Sequence, residues 1–169
     1  MYLRQSVFAA SFAGFASVAF AQAPAVTIPA ALSKPGDQIV AVIKGDGVLT
    51  YECYRDKGES YWMLLGPRMV MRQDGAVVGR IQRGPIWQHN DGSSVTGKSI
   101  ASIPGKTEKD VAQERFETET KGTGLLAGVT AVVQMDTSDG TITSGGCKEH
   151  GWLVGPPFTA TFVFLKSAQ

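Results

Sequence analysis

Val48-Leu49-Thr50-Tyr51-Glu52-Cys53-Tyr54 alternates, with Leu49, Tyr51 and Cys53 on one face and Thr50 and Glu52 on the other. A period of two marks a β-strand with one buried face. Cys53 therefore points inward with the apolar set. It is one of two cysteines; the other, Cys147, lies in a Gly-rich stretch 94 positions further on.

Similar short segments lie on both sides of this one. Gln38–Lys44 is apolar and β-branched, and Tyr61–Leu65 and Met69–Met71 are short apolar runs. Val77–Gln82, Ser94–Ile103 and Thr141–Ser144 also read as strands. Val129–Asp136 sets Val129, Ala131, Val133 and Met135 on one side. Phe158–Leu165 is apolar on both faces, which predicts a central strand. Four Asp-Gly pairs (Asp46-Gly47, Asp74-Gly75, Asp91-Gly92 and Asp139-Gly140) offer the positive φ angles of tight hairpins.

Lys106–Lys121 is more ambiguous. Ala112 and Phe116 share a helical face, but Ala112, Glu114, Phe116 and Thr118 also share a strand face. Thr118, Thr120 and the surrounding strands favour a strand over Val111–Thr120. Lys121–Gly128 reads as a loop, and it lacks the Gly-Lys-Ser/Thr ending of a phosphate loop. No segment carries the ten-residue amphipathic pattern that bridges parallel strands. The expected fold is all-β: a single antiparallel β-sandwich or barrel-like domain over residues 26–166, with one disulfide.

The N-terminus sets the compartment. Arg4 precedes an apolar run from Val7 to Phe20, and Ala19-Phe20-Ala21 offers small residues for a cut after Ala21. Residues 1–21 thus read as a cleaved secretory signal peptide. The run is shorter than the about 20 residues a spanning helix needs. No later segment is long and apolar enough to span, so no membrane span is expected in the mature chain. A periplasmic or extracellular location follows. In such a compartment two cysteines usually pair. Two free thiols, or a metal site using Cys147 and His150, are the alternatives. The metal reading is short of ligands, because structural zinc takes four.

Removing residues 1–21 takes away Arg4, one of 16 Lys and Arg, and the remainder balances 15 Asp and Glu. This neutrality argues against a nucleic-acid partner, and the cations are scattered. No cofactor or metal motif is present.

The densest unusual segment is Gly84–Lys98, GPIWQHNDGSSVTGK. Trp87, His89, Asp91 and Lys98 form the candidate ligand-binding set, an aromatic wall with a few polar tips. The plainer reading is a turn at Asn90-Asp91-Gly92, with Asp91 and Ser93 bonding backbone and Trp87 in the core. Ser93, His89 and Asp91 are too close in sequence for the usual triad, whose members come from separate elements.

VTIPAAL (Val26–Leu32), GVLTYEC (Gly47–Cys53), GPIWQHNDGSSVTGK (Gly84–Lys98) and Gly146-Cys147 resemble a family of exported proteins of unknown function from bacteria and fungi. The resemblance implies a secreted all-β domain whose two cysteines pair, and it implies no catalytic residue. The chain departs from the family pattern at Ile81, where relatives often carry His. It departs again over Val111–Thr120, which is charged where relatives often have a Trp/Leu-rich strand.

The functional expectation is an exported envelope or extracellular module that is not an enzyme and that binds a small molecule or an envelope partner. The alternatives are a secreted hydrolase using Asp91 or His89, and a purely structural envelope component.

Overall fold

A computed structural model describes residues 26–143 and 145–167. The export signal expected over residues 1–21 lies outside these residues. Nine strands follow a short 3-10 turn at Ala30–Leu32. They are β1 (Asp37–Asp56), β2 (Glu59–Gln73), β3 (Ala76–Gln82), β4 (Ile86–His89), β5 (Ser94–Ile103), β6 (Gln113–Lys121), β7 (Ala131–Asp139), β8 (Leu153–Val154) and β9 (Pro157–Ser167). All pairings are antiparallel, in the order β2-β3-β4-β5-β6-β7-β9-β1-β8, and β1 also pairs with β2. That last pairing closes the sheet into a barrel. Closure gives every strand of the ring a partner on both sides over part of its length. β8 lies outside the ring and pairs with Tyr51 and Glu52 of β1, beyond the point where β9 has turned away at Val48.

Several segments that read separately in sequence are continuous here. Gln38–Lys44 and Val48–Tyr54 are both parts of β1, and Asp46-Gly47 lies within the strand. A Cβ at Gly47 would collide with the Arg68 carbonyl and the Met69 Cα of β2. This glycine therefore permits close strand approach rather than a turn. The real β1–β2 turn is Lys57-Gly58, with φ of 48° and 90°. Tyr61–Leu65 and Met69–Met71 likewise merge into β2. Asp74-Gly75, with φ of 50° and 83°, turns β2 into β3 as expected. Most of the Val111–Thr120 segment does form a strand, β6, which begins at Gln113 and leaves Val111 and Ala112 outside it. Thr141–Thr143 forms none, and Ser144 lies outside the described residues.

Side chains from every strand of the ring fill the barrel. Ile43, Met71, Ile81, Val95, Val132 and Phe162 are among the buried members of one cluster. Trp87 is at its centre, edge-on to Phe116 at 5.3 Å, Phe162 at 5.7 Å and Phe164 at 6.4 Å between ring centroids. Inward glycines make room for these rings. A Cβ at Gly97 would lie 2.8 Å from the Trp87 ring and 3.0 Å from the Phe116 Cβ.

A second core lies on the outside of the barrel. Leu32 packs with Ala131, Val133 and Met135 of β7 and with Val163 and Leu165 of β9, and Val26 and Ile28 join them. The segment Val26–Leu32 thus covers the outer face of these strands. This explains why Phe158–Leu165 is apolar on both faces: one face lines the barrel and the other is roofed. Arg115 is buried beneath the roof. Its guanidinium donates to both carboxylate oxygens of Asp37 (2.7 and 2.9 Å) and to the Leu32 carbonyl (2.9 Å).

Cys53 and Cys147 are bonded, with Cα atoms 5.5 Å apart. The bond fixes the loop ahead of β8 to the part of β1 that extends past the ring. Two backbone hydrogen bonds strengthen the attachment, from Cys53 N–H to the Trp152 carbonyl and from Gly151 N–H to the Cys53 carbonyl. Trp62 is only half-buried and faces the exposed Trp152 at 6.3 Å, instead of filling the core.

Candidate functional site

The two ends of the barrel differ, and of the sequence-derived residues His89 and Asp91 fall at the end that is closed. The turns β2–β3 and β4–β5 and the loop 122–128 meet there. Leu126 of that loop is fully buried in the barrel cluster and acts as a plug. Asp91 holds the plug in place. One carboxylate oxygen accepts from Ser93 N–H (2.9 Å) and Ser93 Oγ (2.6 Å), and the other accepts from Leu125 N–H (2.7 Å). His89 Nδ1 lies 2.9 Å from that second oxygen. Nδ1 is also 3.3 Å from Asp91 N–H. One nitrogen cannot donate and accept at once, and the nearer carboxylate makes it the donor. Ser93 Oγ in turn accepts from Leu126 N–H at 3.1 Å. These donors, Leu125 N–H first, hold the Asp91 carboxyl far below the usual carboxylate range.

This geometry suits a latch. The Ser93 hydroxyl gives its proton to Asp91 and has no hydrogen bond to His89, so the base–nucleophile contact of a triad is missing. Trp87 does not wall an open pocket, because its indole is fully buried. Its Nε1 has no hydrogen-bond partner. Lys98 stands apart, exposed on the outer side of β5 across from Glu117 of β6. The structure therefore joins His89 to Asp91 and separates both from Lys98. A depression of about 530 Å³ reaches His89, Asn90 and Ser93, but its walls carry no aromatic ring other than the imidazole. Cys147 is committed to the disulfide and cannot ligate a metal beside His150. Among the described residues no group of three or more His, Cys, Asp or Glu could hold a metal ion, and no helix is long and apolar enough to cross a membrane.

The opposite mouth is open. A cleft of about 430 Å³ has Leu49, Leu65, Pro67 and Pro85 in its walls. Phe116 and Phe158, both buried, form its floor. Trp87 supports Phe116 from behind, which is its one link to the cleft. Two polar side chains reach the cleft, Glu114 of β6 and Gln134 of β7, which sit opposite each other in register. Glu114 accepts from Ser99 Oγ at 2.8 Å, and Gln134 Nε2 donates to the Ala112 carbonyl at 3.1 Å. Apolar walls with a few placed polar groups, at a barrel mouth, are the ordinary form of a small-molecule site. Sequence reasoning did not select these residues. The usable signal was the strand face shared by Glu114 and Phe116, which places a carboxylate beside a core aromatic.

A family profile described as a protein of unknown function, DUF3455, matches residues 69–166, more than half of the chain. The chain belongs to the DUF3455 family. No curated protein matches it, and no solved structure does. The DUF3455 match begins within β2 and ends within β9, so it contains both the Asp91 latch and the Glu114–Gln134 pair. β1 precedes it, with Cys53 and Leu49. The matched segment therefore lacks the strand that closes the barrel and one partner of the disulfide.

Proposed function

We propose that this DUF3455 protein is an exported, non-enzymatic binding module that takes a small, largely apolar molecule into the open barrel mouth. The observation that carries this reading is the cleft floored by Phe116 and Phe158, open at one end of a barrel whose other end is plugged by Leu126. An aromatic floor gives a ligand area to bury, at about 25 cal/mol per Å². The disulfide and the leader-like N-terminus support a periplasmic or extracellular location. A hydrolase acting through Asp91 or His89 has less support, because both Asp91 carboxylate oxygens already accept bonds from Ser93 and from Leu125 of the plug loop. A purely structural role does not call for an open apolar mouth.

The test is titration with N-phenyl-1-naphthylamine, an uncharged probe whose emission rises in apolar sites. We expect saturable binding to the wild-type protein. Ala112→Trp fills the cleft from its wall and should abolish the signal while circular dichroism and the melting temperature stay close to wild type. A folded Ala112→Trp protein that binds the probe as wild type does would place the ligand elsewhere.

A further inference from the structure

Resting on the mouth cleft as the binding site, we infer that its ligand is an apolar molecule with a protonated amine or amidine head, held by Glu114 and Gln134. Glu114 is the one ionisable side chain among the residues lining the cleft. No cation pairs with it within 4.0 Å among the described residues, whose ion pairs are His89–Asp91, Lys106–Asp136 and Arg115–Asp37. Ser99 Oγ occupies Glu114 Oε1, and no described donor reaches Oε2. Gln134 spends its amide N–H on the Ala112 carbonyl, and no described donor reaches its Oε1. Facing each other across β6 and β7, the two side chains therefore present acceptors to the cleft. Two acceptors, one of them charged, call for a ligand that donates more than one hydrogen bond and carries positive charge. Ammonium and amidinium heads do both, and bonds to a charged partner are stronger than neutral ones. A carboxylate-headed ligand would meet like charge in an apolar setting, where repulsion is poorly screened. The rest of such a molecule stacks on Phe116 and Phe158.

Three probes with one ring system separate head-group chemistry from simple apolar fit: 1-naphthylmethylamine, 1-naphthalenemethanol and 1-naphthoic acid, titrated calorimetrically at neutral pH and low salt. The amine should bind about ten-fold more tightly than the alcohol, and the acid should bind most weakly. Glu114→Gln keeps the shape and removes the charge. It should erase the preference for the amine while leaving alcohol binding within about two-fold of wild type. An alcohol that binds as well as the amine, or an amine preference that survives in Glu114→Gln, would overturn the head-group assignment and leave the cleft intact. Failure of all three probes to bind the wild-type protein would overturn the cleft reading as well.

Discussion

Gly97 and Trp87 show how tightly the barrel is packed. The Trp87 ring occupies the space a Cβ on Gly97 would need, and Phe116 stands on the other side of the same gap. Close-packed interiors resist added atoms, since shifted rings lose contacts on all sides. Gly97→Ala should therefore destabilise by about 1–3 kcal/mol in denaturant unfolding. It should also weaken probe binding, because displacing Phe116 moves the cleft floor. An unchanged midpoint and an unchanged affinity would show that the rings have more room than the distances imply. Asp91 illustrates the same dependence on surroundings. A carboxylate beside a histidine and a serine reads as chemistry, yet its acceptor capacity is filled by Ser93 of its own turn and by Leu125 of the loop it retains.

A buried ion pair joins Arg115 of β6 to Asp37 at the start of β1, and the same guanidinium reaches the Leu32 carbonyl of the Val26–Leu32 segment. Arg115 and Asp37 are 3% and 8% exposed, so solvent does little to relieve either if the other is lost. The Arg115 hydrogen bonds outweigh the opposing effect of burial and hold the Asp37 carboxyl below its ordinary value. A depressed carboxyl stabilises the fold above its unfolded value of about 3.9, and that stability is lost as pH falls through the lower folded value. Thermal melts should thus fall steeply below about pH 4. Asp110 shifts the same way, through the Asp139 N–H and the Thr107 hydroxyl, and adds to the slope. Asp37→Ala should cost about 3–5 kcal/mol at neutral pH, mostly from an unpaired buried guanidinium, and should flatten the acid limb. A variant as stable as wild type at pH 7 would mean that the pair contributes little to holding β6 against the start of β1.

At the scale of the whole molecule, the disulfide ties Cys53 to Cys147 across 94 residues. The bond crosses from the unmatched first strand to the DUF3455 segment, so it ties β1 to the part of the chain it must close. Linking distant residues restricts the unfolded chain, and losing such a bond costs about 2–5 kcal/mol. The double variant Cys53→Ser/Cys147→Ser should show that loss in urea unfolding. The largest gain in amide exchange should fall at residues 51–64 and 145–154, which extend beyond the ring. Uniform exchange changes across all strands would instead make the bond a general constraint and not a local one.

Local pattern was enough to settle the class of the fold, because strand alternation is written in adjacent residues. Leu49, Tyr51 and Cys53 share a face in any sheet, and with two cysteines only one intramolecular pair can form. The bonds from Ser93 N–H and Oγ to Asp91 are turn chemistry between near neighbours and were legible, whereas those from Leu125 and Leu126 come from more distant chain and were not. What sequence could not convey depended on distant neighbours. Asp46-Gly47 has the residues of a turn, and only the backbone of β2 beside it shows that the glycine serves close approach. The apolar outer face of β9 has meaning only once Val26–Leu32 covers it. The cleft is the extreme case: Leu49, Pro67, Pro85, Glu114, Gln134 and Phe158 come from separate strands and turns. Apart from the strand face that Glu114 shares with Phe116, nothing in their own segments sets them apart. Barrel closure brings them to one mouth, because a ring of antiparallel strands gathers alternate connections at each end, and only the chain at the far end supplies a plug.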